Sequence, residues 1–366
     1  MASEQQVREA FAIQEFYCRT MGTPMYARLC TALEHGLTRD TAVGAAILDW
    51  PGEPTRDALP LRFIGGLNAL VLERADDELA AVFAGEIDGH DAIVAVLGRV
   101  LARHDAALLP WLDGPPQTNE PGRSAGLMLG LMEIARRHGP RIEVIEIGSS
   151  AGLNLLIGRY RFDLGGTVVG PDDAPVTIMP EWRGAPPAPV AIEIVSTAGC
   201  DVRPMDAADP AVERRLAAYV WPEAAGRLER LRAAAAMARE RPVDLIAADA
   251  ADFVEERLAR PQEAGVARVL MHSVVWQYLP DAVAERIRQA MTAASERADA
   301  SRPLGWVMFE PDRALGRQMV RVRSWPGHDA WDTLATAHAH GAWIDTAPVE
   351  GLQGIDLPET ARVRVG

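Results

Sequence analysis

The sequence predicts an α/β protein: an all-helical N-terminal domain over residues 1–138, then a mostly parallel sheet of about seven strands over residues 139–366. Three observations carry this. Up to about residue 138 apolar residues recur at helical spacing and no strand alternation appears. From Arg141 onward short apolar runs, several of them β-branched, alternate with amphipathic helical stretches. The 366 residues are 48% hydrophobic and 24% charged, enough apolar material for a core plus an appendage.

The elements follow in chain order. Thr23-Pro24 marks a helix start, with Thr as N-cap and Pro in the first turn, and Gly36 marks its stop. Residues 91–109 set Ile93, Val94, Leu97, Val100, Leu101 and Leu108 on one helical face. Pro51, Pro54 and Pro60 break one loop, and Pro110, Pro115 and Pro116 another. Strands are expected at 142–147, 191–195, 243–247, 267–275 and 304–309, with helices at 211–239 and 281–298 among them. That alternation argues for parallel strands with helices on both faces. Near the end, 318–325 alternates, 331–340 reads as a helix, and 341–346 is short and apolar. This adds two edge strands, one of them antiparallel. Residues 161–189, rich in glycine and proline, interrupt the alternation as an insertion, expected to form a hairpin over the site.

Charge and composition exclude several functions. The chain holds 51 acidic against 37 basic residues, a net charge of −14, which repels phosphate backbones and argues against nucleic acid as a partner. It contains no lysine, so Schiff-base chemistry, Walker-type nucleotide hydrolysis and kinase chemistry lack their essential amine. Cys18, Cys30 and Cys200 form no C-x-x-C pair, which excludes a zinc–cysteine site and suits a reducing, cytoplasmic setting. His338 and His340 have no acidic partner at ligand spacing, so no metal site is expected. No apolar run reaches membrane-spanning length, and the first residues are too charged for a signal peptide.

The sharpest local signal is Val144-Ile145-Glu146-Ile147-Gly148-Ser149-Ser150-Ala151-Gly152-Leu153-Asn154. An apolar strand ends on a carboxylate, which no packing need explains, and runs through small residues into an apolar helix. Such a turn lets backbone N–H groups approach a ligand beside the positive end of a helix. The spacing does not fit the G-x-G-x-x-G of dinucleotide oxidoreductases. It does fit G-x-S-x-G, which keeps a serine hydrolase with Ser150 as nucleophile, and Asp249 and His272 downstream, as an alternative. A non-catalytic ligand-binding protein is a third possibility.

The same segment resembles the E/D-x-G-x-G-x-G motif of class I S-adenosylmethionine-dependent methyltransferases, with Ser150 in place of the middle glycine. The resemblance covers residues 141 to about 350. It implies a Rossmann-like sheet and S-adenosylmethionine as cofactor, with Glu146, Gly148, Ser149, Ser150, Gly152 and Asn154 around the cofactor turn. It further implies a ribose-binding acid after the second strand, Asp201, with Glu193 and Asp206 as substitutes, and an adenine contact at Asp249 and Ala250. Asp249 or Asp252 alternatively caps the helix that follows. After the fourth strand, His272, Trp276 and Tyr278 are expected to face cofactor and substrate.

The expected reaction is methyl transfer to oxygen, nitrogen or sulfur of a small molecule. His272 is the first choice of base, with Tyr278 and Glu310 as alternatives. Gln117, Asn119 and Arg123, with Trp276, are expected on the substrate side, Arg123 as a carboxylate grip; the bland alternative for 117–124 is an interhelical loop capped at Thr118. Gln117-Thr118-Asn119-Glu120 with Arg123, the 146–154 turn, Tyr219-Val220-Trp221-Pro222 and 272–280 together are similar to an uncharacterised bacterial family of domain-of-unknown-function proteins, a resemblance that implies no activity.

Overall fold

The computed structural model describes residues 2–116, 118–223, 226–312 and 315–348. The chain forms two compact units: Met1–Thr118 with Pro210–Glu229, and Asn119–Asp209 with the chain from Arg230 onward.

The first unit is helical: Glu4–Thr20, Pro24–Gly36, Ala42–Leu48, Leu59–Leu72, Asp77–Phe83 and His90–Leu108, joined by Pro210–Ala218. Ser3 and Gln6 close a capping box on the first helix. The Thr23 hydroxyl turns back to the Cys18 carbonyl (2.8 Å) instead of capping the second. The inward faces build one core that includes Phe11, Leu29, Leu33, Phe63, Leu67, Ile93 and Val100. Buried Asn68 explains why residues 210–229 belong here. Its amide donates to the carbonyls of Ala218 and Val220 at 2.9 and 3.0 Å, and Trp221 stacks on Tyr26 with ring centroids 5.1 Å apart.

The second unit holds the sheet. Its strands are β1 (Arg141–Ile147), β2 (Arg161–Leu164), β3 (Thr167–Val169), β4 (Thr177–Ile178), β5 (Glu181–Arg183), β6 (Glu193–Asp201), β7 (Asp244–Ala247), β8 (Ala267–Ser273), β9 (Leu304–Asp312), β10 (Arg317–Trp325), β11 (His328–Ala337) and β12 (Trp343–Asp345). Nine of them form one sheet in the order β7-β6-β1-β8-β9-β10-β11-β12-β5. The first five are parallel, β9 to β12 run antiparallel, and β5 closes the edge parallel to β12.

The sheet has nine strands where seven were expected, for two physical reasons. The segment read as a helix at 331–340 is largely β11. Trp331, Leu334, Ala335 and Ala337 fall at helix-like spacing, but the backbone is claimed by hydrogen bonds to β10. The 161–189 insertion contributes β5 to the main sheet edge and folds β2, β3 and β4 into a small sheet of its own.

Alternation along the strands assigns the two faces. On one face Gly126 and Gly130 bring the Ser124–His138 helix onto the sheet. A Cβ at Gly130 would sit 2.3 Å from Val307, and one at Gly126 2.6 Å from Phe309. This helix was expected in the N-terminal domain. Its Gly-lined contact with β9 puts the division at residue 118 instead of 138. The other face is covered by Ala250–Ala259 and Asp281–Ser295, whose Phe253, Val254, Ile287 and Met291 pack with Ile145, Leu270 and Trp306. Among the described residues no helix is long and apolar enough to cross a membrane.

Candidate active site

The strand order reverses between β1 and β8, so the loops leaving their carboxyl ends part there and open a crevice, the position ligands favour in such sheets. The turn after β1 is seated directly on the turn after β8. Gly148 has φ +66°, and a Cβ there would lie 2.3 Å from a Val275 methyl, so no other residue fits. Ser150 (φ +55°) and Gly152 (φ +74°) are also left-handed, which coils the backbone tightly over the strand end. The Ser150 N–H donates to Asp201 Oδ2 (2.9 Å), and the Ser149 N–H to the Cys200 carbonyl (3.0 Å).

Glu146 lies beneath this turn, 1% exposed, and its Oε2 has no hydrogen-bond partner. Burial pushes its carboxyl up to about 7. Bonds from Ser149 and Asn154 pull the other way, and the charge of Asp201 adds to the rise. Asn154, 2% exposed, accepts from the Ser124 hydroxyl at 2.8 Å and reaches Ser273 at 3.4 Å, tying the turn to the Ser124–His138 helix and to β8. Asn119 Oδ1 accepts the Leu153 N–H at 2.7 Å, which holds the strand-to-helix corner from the other side.

Of the acids expected at the second strand, Asp201 stands at its carboxyl end, and its Oδ1 takes the Arg203 N–H (2.9 Å). Glu193 starts the same strand at the opposite end and is paired with Arg141, so it drops out. Asp206 caps its own loop through the Ala208 N–H. It lines a cavity of about 290 Å³ with Ala151, Met205, Ala238, Val243 and Leu245. Asp249 is the N-cap of Ala250–Ala259, accepting from Ala251 and Asp252 N–H through one oxygen. Ala250 is buried behind it.

A second polar cluster fills the carboxyl ends of β8 and β9. His272 is fully buried, stacked on Trp276 with centroids 5.1 Å apart. Trp306 Nε1, a donor only, gives its hydrogen to His272 Nε2 (3.0 Å), so the ring proton is on Nδ1 and goes to Glu310 Oε1 (2.7 Å). That oxygen also accepts the N–H groups of Val275 (3.1 Å) and Trp276 (3.3 Å), while Glu310 Oε2 is buried with no partner. The imidazole as placed has no lone pair left for a substrate proton, which speaks against His272 as the base. Tyr278 is 73% exposed, so nothing fixes it at the site. The Trp276 indole N–H is buried and unpartnered.

Gln117 lies outside the described residues. Arg123, expected to grip a substrate carboxylate, gives its Nε–H to the Ala339 carbonyl (3.0 Å) and is buried. Glu120, not Thr118, caps the turn after it, through the Gly122 N–H, and also pairs with Arg230. His338 and His340 follow β11, their rings 5.4 Å apart, not on a helix. Ser150 Oγ is buried with no partner, so no imidazole is within reach of it as a serine nucleophile requires. Trp306 and Ser273 matter here through contacts with residues distant in sequence. The one signal for Trp306 was a large aromatic carrying a polar N–H inside an apolar strand.

Residues 8–346 match the model of a family described as an uncharacterized protein conserved in bacteria, DUF2332. The chain belongs to the DUF2332 family. No curated protein and no solved structure matches it. Three of the segments singled out in this DUF2332 chain, Asn119 with Arg123, the 146–154 turn and 272–280, lie in the sheet unit. Tyr219-Val220-Trp221-Pro222 lies in the helical one.

Proposed function

We propose that the protein transfers a methyl group from S-adenosylmethionine to an oxygen, nitrogen or sulfur of a small molecule. The observation that carries this reading is the buried Glu146, with an unpartnered oxygen, under a left-handed small-residue turn at the point where the strand order reverses. A buried carboxylate oxygen without a partner costs stability unless a ligand donates to it. The residues fit the cofactor: the buried, unpartnered Glu146 oxygen for the ammonium of its amino-acid end, Asp201 for the ribose hydroxyls, Asp249 near the base. Each Asp201 oxygen accepts one backbone N–H and keeps a second lone pair for a hydroxyl. The order β7-β6-β1-β8-β9, with one sheet face under Ser124–His138 and the other under the helices after β7 and β8, is what a methyltransferase-like fold requires of its first five strands.

When bound, S-adenosylmethionine supplies a methyl group already activated on a sulfonium. The chain's part is then to place the acceptor in line, exclude water and take a proton where the acceptor has one to lose. Glu310 is suited to taking that proton, because three donors fix Oε1 and leave Oε2 free to hold it. His272 is a positioning residue for it. The −14 charge and the buried, free cysteines suit a cytoplasmic enzyme acting on a metabolite.

The test uses methyl-tritiated S-adenosylmethionine with a bacterial small-molecule extract as acceptor. Glu310→Gln is expected to keep its affinity for S-adenosylhomocysteine but to lose label transfer by about 100-fold. Equal transfer by the variant removes Glu310 from the chemistry, and a wild-type protein that binds neither nucleoside removes the reading altogether.

A further inference from the structure

Arg321, in the middle of β10, is 3% exposed and carries an unusual deficit. Its Nε and Nη2 are both buried without a hydrogen-bond partner. These two nitrogens form the edge of a guanidinium that grips a carboxylate side-on. The same edge is occupied elsewhere in this chain: Arg99 closes it on Glu78, Arg286 on Glu255, and Arg103 on Asp76. Those pairs are on or near the surface, where each is worth little. Arg321 is the buried case, where a guanidinium edge without hydrogen bonds is costly and burial already lowers its proton affinity.

Register gives its place. Arg321 pairs with Met308, which pairs with His272. It therefore stands on the same sheet face as His272, Trp306 and Glu310. Asp312 Oδ2, at the carboxyl end of β9, lies 3.7 Å from Nη2, beyond hydrogen-bonding distance. The guanidinium thus leans toward the carboxyl edge on the β9 side of the crevice, two strands beyond β1 and its cofactor turn.

We infer that Arg321 binds a carboxylate of the acceptor molecule side-on, and that the acceptor is therefore a carboxylic acid. Calling this ligand the acceptor rests on the methyl-transfer reading; the carboxylate site itself does not. The bland account is a loose ion pair with Asp312, and the two accounts predict different outcomes.

The probes are succinate and benzoate, with succinamide and benzamide as controls and sodium chloride matched throughout, read as thermal melting of the full chain. At about ten times the dissociation constant, either carboxylate is expected to raise the melting temperature by about 3 °C, with no rise from the amides. Arg321→Gln is expected to lose the rise and Asp312→Asn to keep it. Arg321→Met, an apolar replacement of similar length, serves if the glutamine variant fails to fold. All three variants should bind S-adenosylhomocysteine within twofold of wild type, which separates this site from the cofactor. No rise in wild type with either carboxylate, or an equal rise in the Arg321 variants, overturns the proposal. A wild-type rise that Arg321 variants lose, together with no S-adenosylhomocysteine binding, upholds the carboxylate site and overturns the methyl-transfer reading alone.

Discussion

Replacing Glu146 with glutamine is expected to abolish a pH dependence of stability worth about 3 kcal/mol. In the folded chain the Glu146 carboxyl is raised from its ordinary value of 4.5 to about 7, chiefly because burial penalises the charged form. A raised folded value means the contribution is fully present below the ordinary carboxylate range and is lost as pH climbs through about 7. Each tenfold change in proton affinity is worth about 1.4 kcal/mol, so the loss across this window is about 3 kcal/mol, a large share of a domain's stability. Urea melts of both proteins from acid to mildly alkaline pH measure it. Wild type should fall away from Glu146→Gln between about pH 5 and 8. Parallel curves would mean that Glu146 is better solvated than its place beneath the turn implies.

The second large effect belongs to His272→Ala, expected to destabilise the protein by about 4 kcal/mol. The ring fills space between Trp276 and Trp306, accepts the Trp306 N–H and donates to Glu310. Alanine leaves a cavity and a buried indole N–H without an acceptor. His272→Gln can retain an acceptor for Trp306, and His272→Asn a donor for Glu310, so each should recover part of the loss. Equilibrium unfolding in urea reads the series. An alanine variant as stable as wild type but devoid of turnover would return His272 to the role of base.

The parallel half of the sheet was legible because its central strands are largely buried and read as short, mostly apolar runs, as in Ala267–Ser273, which is buried at every position. At the antiparallel end 318–325 and 341–346 were legible as strands, but β11 between them was not, because Trp331, Leu334, Ala335 and Ala337 imitate a helical stripe when pairing with β10 is unknown. The unit boundary was hidden for a similar reason. The Ser124–His138 helix looks locally like those before it, and only Gly126 and Gly130, lying against β9, reveal what it covers.

At the site, Glu146, Gly148 and Asp201 were readable as an acid, a forced turn and a second acid. The role of His272 was not, since its partners Trp306 and Glu310 are 34 and 38 residues away in sequence. Arg321 carries no local signal among 37 arginines; burial and an empty hydrogen-bonding edge single it out.

The central claim, that the turn after β1 holds S-adenosylmethionine, is tested most directly by calorimetric titration of the full chain with S-adenosylhomocysteine, beside Asp201→Ala and Glu146→Gln. Saturable binding with one site per chain is expected for wild type. It should weaken by at least about tenfold in each variant, the effect of about 1.4 kcal/mol for a lost charge-assisted hydrogen bond. No heat from the wild-type protein, or affinities unchanged by both substitutions, would contradict it.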